Sequence, residues 1–150
     1  MSAFRFRAQV ALDVRRRELE AAQRHLARAE QDRDAARRDV EKAAGAVQGA
    51  REAGSEQSRN PRTANDLQWY RFWILRLEHE RRSAQSRLTA REGDVTKATA
   101  ACVQAKQRCQ SLEKLRDKAR HVHDRKQADV ERKLIDELAT TRYNERQLIP

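Results

Sequence analysis

The stretch NDLQWYRFWILRLEHE, residues 65–80, lies between two long segments rich in Ala, Arg and Glu. Four of the seven aromatic residues of the chain fall between Trp69 and Trp73. The sequence SRNP, residues 58–61, ends three residues before this stretch and contains residue types that commonly end helices. The sequence therefore predicts that one long helix ends before this stretch and that a second one begins with it.

The composition is too polar for a compact globule of 150 residues. Hydrophobic residues make up 38% of the chain, charged residues make up 37%, and the mean hydropathy is −1.05. Gly and Pro are scarce, with four and two residues. This composition is typical of long helices that each bury one narrow stripe, so we expect an extended all-α protein.

Apolar residues repeat every seven positions on both sides of residues 58–61, and a second set follows three positions after the first. This heptad pattern predicts a coiled-coil seam on each helix. Residues 45, 49 and 54 are glycines and weaken the end of the first helix. The predicted elements are a first helix over 6–52, a tip loop over 53–62 and a second helix over 63–143, in a single domain over 1–150. The seam residues of the first helix include Leu12, Leu19, Leu26, Ala29, Ala36, Val40, Val47 and Ala50, and those of the second include Leu67, Tyr70, Ile74, Leu77, Ala84, Leu88, Ala98, Cys102 and Cys109.

Folding the second helix back on the first predicts an antiparallel hairpin. We expect Val47 to face Tyr70 and Leu12 to face Ala105, because large residues then meet small ones in most layers. A parallel dimer would instead place Leu against Leu and Ala against Ala, so the pattern favours a monomer. In this register the start of the first helix lies opposite Leu112. Residues 113–143 of the second helix therefore extend beyond the first helix without a partner.

The net charge of +10 raises the possibility of a nucleic acid or an anionic membrane as a partner. Acidic residues are nevertheless mixed with the basic ones along the chain, and many opposite charges stand four positions apart, as in Asp13 and Arg17. Such pairs stabilise solvated helices. We therefore expect no nucleic acid, and keep a basic coiled coil that binds nucleic acid or lipid as an alternative.

The sequence offers no catalytic or metal site. His121 and His123 stand two apart and face different sides of a helix, so we expect all four histidines to be solvated. No phosphate-binding loop or nucleophile motif is present, which predicts a non-enzyme without cofactors. Cys102 and Cys109 lie too far apart on one helix for a disulfide within the chain, and a disulfide between two chains is kept as an alternative. No apolar run approaches the roughly 20 residues of a membrane span, and we expect a cytoplasmic protein.

The aromatic cluster leaves Trp69, Phe72 and Trp73 outside the seam. One interpretation is that residues 54–62 fold over these rings. The second is an exposed apolar patch that binds a partner protein. The third, base stacking with single-stranded nucleic acid, requires basic residues among the rings, and Arg71 and Arg76 are present.

Three stretches resemble the FliJ family of flagellar type III export-apparatus proteins. The N-terminal sequence FRFRAQVALDVRRRELE, residues 4–20, is similar to the start of that family. Tyr70-x-x-Trp73-Ile74-x-x-Leu77-Glu78 resembles its aromatic stretch after the turn. Residues 133–143, with the sequence KLIDELATTRY, are similar to its C-terminal ending. The resemblance extends over essentially the whole chain.

The resemblance implies a cytoplasmic stalk in the hexameric ring of the flagellar export ATPase. It also implies contact with the cytoplasmic region of the export-gate membrane protein, which places the chain at the inner face of the cell membrane, and escort of export chaperones. The equivalent stalk of virulence-type secretion systems has the same architecture and remains an alternative. The resemblance implies Tyr70, Trp73 and Leu77 at the gate, and we add the off-seam rings Trp69 and Phe72 to this predicted docking surface. The residues implied at the ATPase ring are Leu134, Asp136, Glu137, Leu138 and Arg142.

Overall fold

A computed structural model of the chain describes residues 3–58 and 63–147, which form two α-helices and no strand. Helix α1 spans Gln9–Ser58 (50 residues) and helix α2 spans Ala64–Gln147 (84 residues). The helices pack against each other, which confirms the predicted all-α helical hairpin. The described residues divide into two compact units: unit 1 comprises residues 3–19 and 105–147, and unit 2 comprises residues 20–58 and 63–104.

Both helix starts follow from local hydrogen bonding. At α2 the carbonyl oxygen of Thr63 accepts the backbone N–H of Asp66 at 3.0 Å, and the Thr63 hydroxyl donates to the Asp66 carboxylate at 2.9 Å. Asp66 also places a negative charge at the positive end of the helix dipole. At α1 the N–H of Gln9 donates to the carbonyl of Phe6, and the first turn of α1 holds no acidic residue.

The predicted tip loop over 53–62 is too long. Residues 53–58 continue α1, while residues 59–62 lie outside the described part of the chain. The three glycines in α1 do not break the helix, and none of them has a positive φ. Gly54 is itself buried against α2, so packing offsets the cost of about 1 kcal/mol that glycine carries in a helix.

The heptad located the seam, except at Leu67, a predicted seam residue in the first turn of α2 that is 49% exposed. All nine buried hydrophobic residues in the described ranges occupy predicted seam positions. Most of them are alanines, which allow two helix backbones to approach closely. In unit 1 they are Leu12 and Cys109, and in unit 2 they are Ala29, Ala36, Val47, Ala50, Ala84, Leu88 and Ala98.

The predicted register is wrong by one heptad. Tyr70 lies against Gly54, one heptad after Val47, and its hydroxyl donates to the carbonyl oxygen of Ala50. In unit 1 the Arg16 guanidinium lies 3.3 Å from the Glu113 carboxylate, whereas the predicted register would place Ala101 opposite Arg16. A shift of one heptad leaves every seam residue in the seam, so the periodicity alone could not exclude it.

In the observed register the unpaired part of α2 begins later than predicted. Within unit 1, the ring of Phe4 contacts the ring of His123 edge-on, with centroids 5.6 Å apart. Helix α2 is therefore covered well beyond Leu112, and the predicted unpaired stretch of 113–143 begins too early. From residue 128 to residue 147 every position is exposed.

Candidate functional site

Three rings on α2 form the first candidate surface, which we call the ring face: Trp69, Phe72 and Trp73. Their exposed fractions are 72%, 65% and 39%. The spacing i, i+3, i+4 puts the three side chains on one side of the helix. Large exposed aromatic side chains in a group are characteristic of protein-binding surfaces.

Two of the five predicted gate-docking residues, Tyr70 and Leu77, lie in the seam and are not part of the ring face. Tyr70 is half-buried in the seam and bonds to the Ala50 carbonyl of α1. Its ring also meets the Trp73 ring edge-on, with centroids 6.2 Å apart and an interplanar angle of 65°. Leu77 is half-buried as well. Tyr70 therefore links α1 to the ring face.

Sequence reasoning missed one exposed apolar residue at the edge of this surface. Leu75 is 56% exposed and stands three residues after Phe72, so it lies beside Phe72, although it faces away from Trp73 two residues before it. Its position outside the heptad was the available signal. Arg76, four residues after Phe72, forms an ion pair with Glu80 at 3.3 Å and adds a charge beside the rings.

One interpretation of the sequence has residues 54–62 cover the rings. Residues 54–58 belong to α1, and residues 59–62 lie outside the described ranges. The exposed fractions of Trp69 and Phe72 favour an uncovered surface.

The second candidate surface is the exposed end of α2, residues 128–147, here called the C-terminal segment. Val130, Leu134 and Leu138 follow one another at intervals of four, which aligns them along one side of the helix. Their exposed fractions are 61%, 57% and 56%. An apolar stripe of this kind on a helix without a covering neighbour is suited to packing against another protein.

Charged residues flank this stripe. The backbone carbonyls of Asp136 and Glu137 accept hydrogen bonds from Thr140 and Thr141, at 2.8 and 2.9 Å. The side chains of Asp136, Glu137 and Arg142 are exposed and form no ion pair with any other described residue. Their charges are therefore available to a partner that covers the stripe.

The amino-acid sequence matches the family described as flagellar FliJ protein over residues 5–148. The chain belongs to the FliJ family. This match confirms the resemblance that the three sequence stretches indicated. No curated protein and no solved structure shows a significant match to the chain.

Membership in the FliJ family makes the chain a component of the flagellar export apparatus, and the family is a non-catalytic component of it. Both candidate surfaces lie within the matched residues. In the described part of this FliJ-family chain, no helix is long and apolar enough to cross a membrane.

The described side chains of this FliJ-family member form no cluster of three or more His, Cys, Asp or Glu that could bind a metal.

The expectation of four solvated histidines is wrong for His123. Both of its ring nitrogens are buried, and neither makes a hydrogen bond within the described ranges. Its Nδ1 lies 3.5 Å from the Asp124 carboxylate, without the alignment of a hydrogen bond. The Phe4 ring excludes solvent from this site, and no periodic pattern marked that contact because Phe4 precedes α1.

Proposed function

We propose that this chain is a non-enzymatic central stalk of the flagellar export ATPase ring. In this proposal the C-terminal segment contacts the ATPase hexamer, the ring face docks on the cytoplasmic region of the export-gate membrane protein, and the chain escorts export chaperones. The matched family is flagellar, which favours the flagellar ring over the equivalent ring of a virulence-type system.

The exposed stripe of the C-terminal segment is the main support for the ATPase contact. Leu134 and Leu138 are 57% and 56% exposed, and burying the exposed part of each in a partner recovers about 1–2 kcal/mol. Apart from this stripe the C-terminal segment is polar, and a polar helix without packing partners gains little stability by itself. A partner that surrounds the segment would contact the stripe and the charged residues Asp136, Glu137 and Arg142 together.

The ring face supports the gate contact in the same physical way. Trp69 and Phe72 expose most of their area, while Tyr70 fixes the helix below them to α1 through the Ala50 carbonyl. A rigid aromatic surface loses little conformational entropy when it binds. This is the arrangement expected of residues that dominate the binding energy of an interface.

A binding experiment with purified proteins tests the proposal. The full chain is mixed separately with the flagellar export ATPase and with the cytoplasmic region of the export-gate protein, and each dissociation constant is measured. Leu134→Ser with Leu138→Ser should weaken binding to the ATPase and leave gate binding unchanged. Trp69→Ser with Phe72→Ser should give the opposite result. If the chain binds neither protein, the proposal is wrong.

A further inference from the structure

The positive charge of the chain is concentrated where two separate stretches meet in unit 1. Residues 3–19 and 105–127 pack together through contacts that include Arg16 with Glu113 and Phe4 with His123. Together these stretches carry 13 basic and 5 acidic residues, a net charge of +8 out of +10 for the whole chain. Counted along the sequence the charges look mixed, because neither stretch alone holds this excess.

A cleft of about 540 Å³ opens within this basic region. It is lined by the half-buried rings of Phe4 and Phe6, by the Gln9 side chain, and by three arginines, Arg5, Arg116 and Arg120. Its size lies in the range of ligand-binding clefts, about 300–1,000 Å³. Because the cleft has apolar walls beside several cationic groups, a ligand that fills it must carry both an apolar group and negative charge.

The cationic groups of the cleft are poorly neutralised by the protein itself. Arg116 pairs with Asp117 at 2.9 Å, but Arg5 and Arg120 form no ion pair or hydrogen bond with any described residue. The adjacent start of α1 adds the positive end of a 50-residue helix, and its first turn contains no acidic residue. Like charges held close together raise the free energy of the folded chain, and a bound anion lowers it.

We propose that this cleft binds an acidic peptide segment of another protein, one that carries a large apolar side chain between its carboxylates. The planar guanidinium groups of Arg5 and Arg120 match carboxylates through paired hydrogen bonds. The apolar side chain packs between Phe4 and Phe6. This site is separate from the ring face and from the C-terminal segment, and its occupant is independent of the proposed ATPase and gate contacts.

The geometry favours a peptide over other anions. A lipid surface is flat and would meet the exposed arginines without reaching the rings that line the cleft. Nucleic-acid bases stack on free aromatic faces, whereas both phenylalanines are half-buried and Phe4 already packs against His123. The lining contains no glycine, which phosphate-binding loops use to bring successive N–H groups together.

The experiment measures binding of labelled peptides to the full chain by fluorescence anisotropy at one fixed salt concentration. The probe peptide is EDFEDL. The first matched peptide, QNFQNL, lacks the charges, and the second, EDSEDS, lacks the apolar side chains. We expect the probe to bind and each matched peptide to bind at least about tenfold more weakly, because both requirements of the cleft must be met.

Two double variants distinguish binding in the cleft from attraction by the overall positive charge. Arg5→Ser with Arg120→Ser should weaken probe binding by about tenfold or more. Arg17→Ser with Arg125→Ser is the control: it removes the same charge from the same unit at two exposed arginines that do not line the cleft. An equal loss in both double variants would overturn the proposal, since the charge would then act without the cleft.

Two further measurements complete the test. Arg5→Lys with Arg120→Lys keeps the charge but removes the paired hydrogen bonds, so an intermediate loss is expected even if the serine variant unfolds. Vesicles containing phosphatidylserine and a single-stranded oligonucleotide are measured in parallel. Tighter binding of either one than of EDFEDL would overturn the assignment to a peptide.

Discussion

The phenol ring of Tyr70 on α2 lies directly over Gly54 on α1. A Cβ atom at residue 54 would overlap the hydroxyl and the ring of Tyr70. The same hydroxyl donates a hydrogen bond to the backbone carbonyl of Ala50, one turn earlier on α1. The pair therefore fixes which heptad of α1 faces which heptad of α2 in unit 2, because only a glycine on the seam leaves room for this ring.

Gly54→Ala should destabilise the protein although alanine is the better helix former. The added methyl group displaces Tyr70 from the Ala50 carbonyl, and overpacking of this kind costs about 1–3 kcal/mol. Gly49→Ala is the matched control, since nothing lies within 4 Å of a Cβ there. It should stabilise α1 by about 0.8–1 kcal/mol. Urea unfolding followed by circular dichroism measures both, and stabilisation by Gly54→Ala would contradict the contact.

Tyr70→Phe should lower the free energy of unfolding by about 0.5–1.5 kcal/mol, the usual contribution of one hydrogen bond. The substitution leaves the ring over Gly54 and removes the bond to the carbonyl of Ala50. Tyr143→Phe is the control, because Tyr143 is 63% exposed and its hydroxyl accepts a solvent-exposed hydrogen bond from Gln147 at 2.9 Å. Equal effects of the two substitutions would show that the bond to Ala50 contributes no more than an exposed one.

The seam of this fold could be predicted from the sequence, and its register could not. The heptad identified every buried hydrophobic residue in the described ranges, from Leu12 to Cys109, because burial follows from periodicity. Register depends on which side chains fit together at particular layers. Gly54 was interpreted as a helix breaker, whereas its absent side chain accommodates Tyr70. Steric fit between two distant residues leaves no periodic signal.

The exposed rings of the ring face could also be predicted from the sequence, whereas the cleft of unit 1 could not. Trp69 and Phe72 are exposed because the heptad excludes them from the seam, which is a local property of α2. The cleft of unit 1 depends instead on bringing Arg5 beside Arg120, and that requires the register and the path of the residues before α1. The concentration of basic charge in unit 1 was hidden for the same reason.

Trp69→Ser with Phe72→Ser should leave the free energy of unfolding within about 0.5 kcal/mol of the unchanged protein, since both rings are mostly exposed. Trp73→Ser should cost more, because Trp73 packs edge-on against Tyr70 and such pairs contribute about 0.5–1.5 kcal/mol beyond their burial. Thermal unfolding measures both effects. A large loss of stability in the double variant would mean that the ring face is covered by the protein itself.

His123→Leu should stabilise unit 1. The two buried nitrogens of His123 make no hydrogen bond within the described residues, and an unsatisfied buried polar group costs about 1–3 kcal/mol. Leucine fills a similar volume beside Phe4 without that cost, and the edge-on ring contact that it gives up contributes less, about 0.5–1.5 kcal/mol. His121→Leu, at an exposed position two residues earlier, should change stability little. If His123→Leu destabilises the protein, the imidazole makes a polar contact in solution that this arrangement lacks.

Shortening α2 at two points separates its paired part from its exposed part. A chain ending at Gln127 lacks residues 128–150, and because all of the described ones among them are exposed, its unfolding midpoint in urea should be unchanged while its helical signal falls. A chain ending at Arg120 also loses His123 and its edge-on contact with Phe4, and should unfold at lower urea. A lower midpoint for the chain ending at Gln127 would show that residues 128–147 pack against the protein. The stripe of Leu134 and Leu138 would then be unavailable to the ATPase ring.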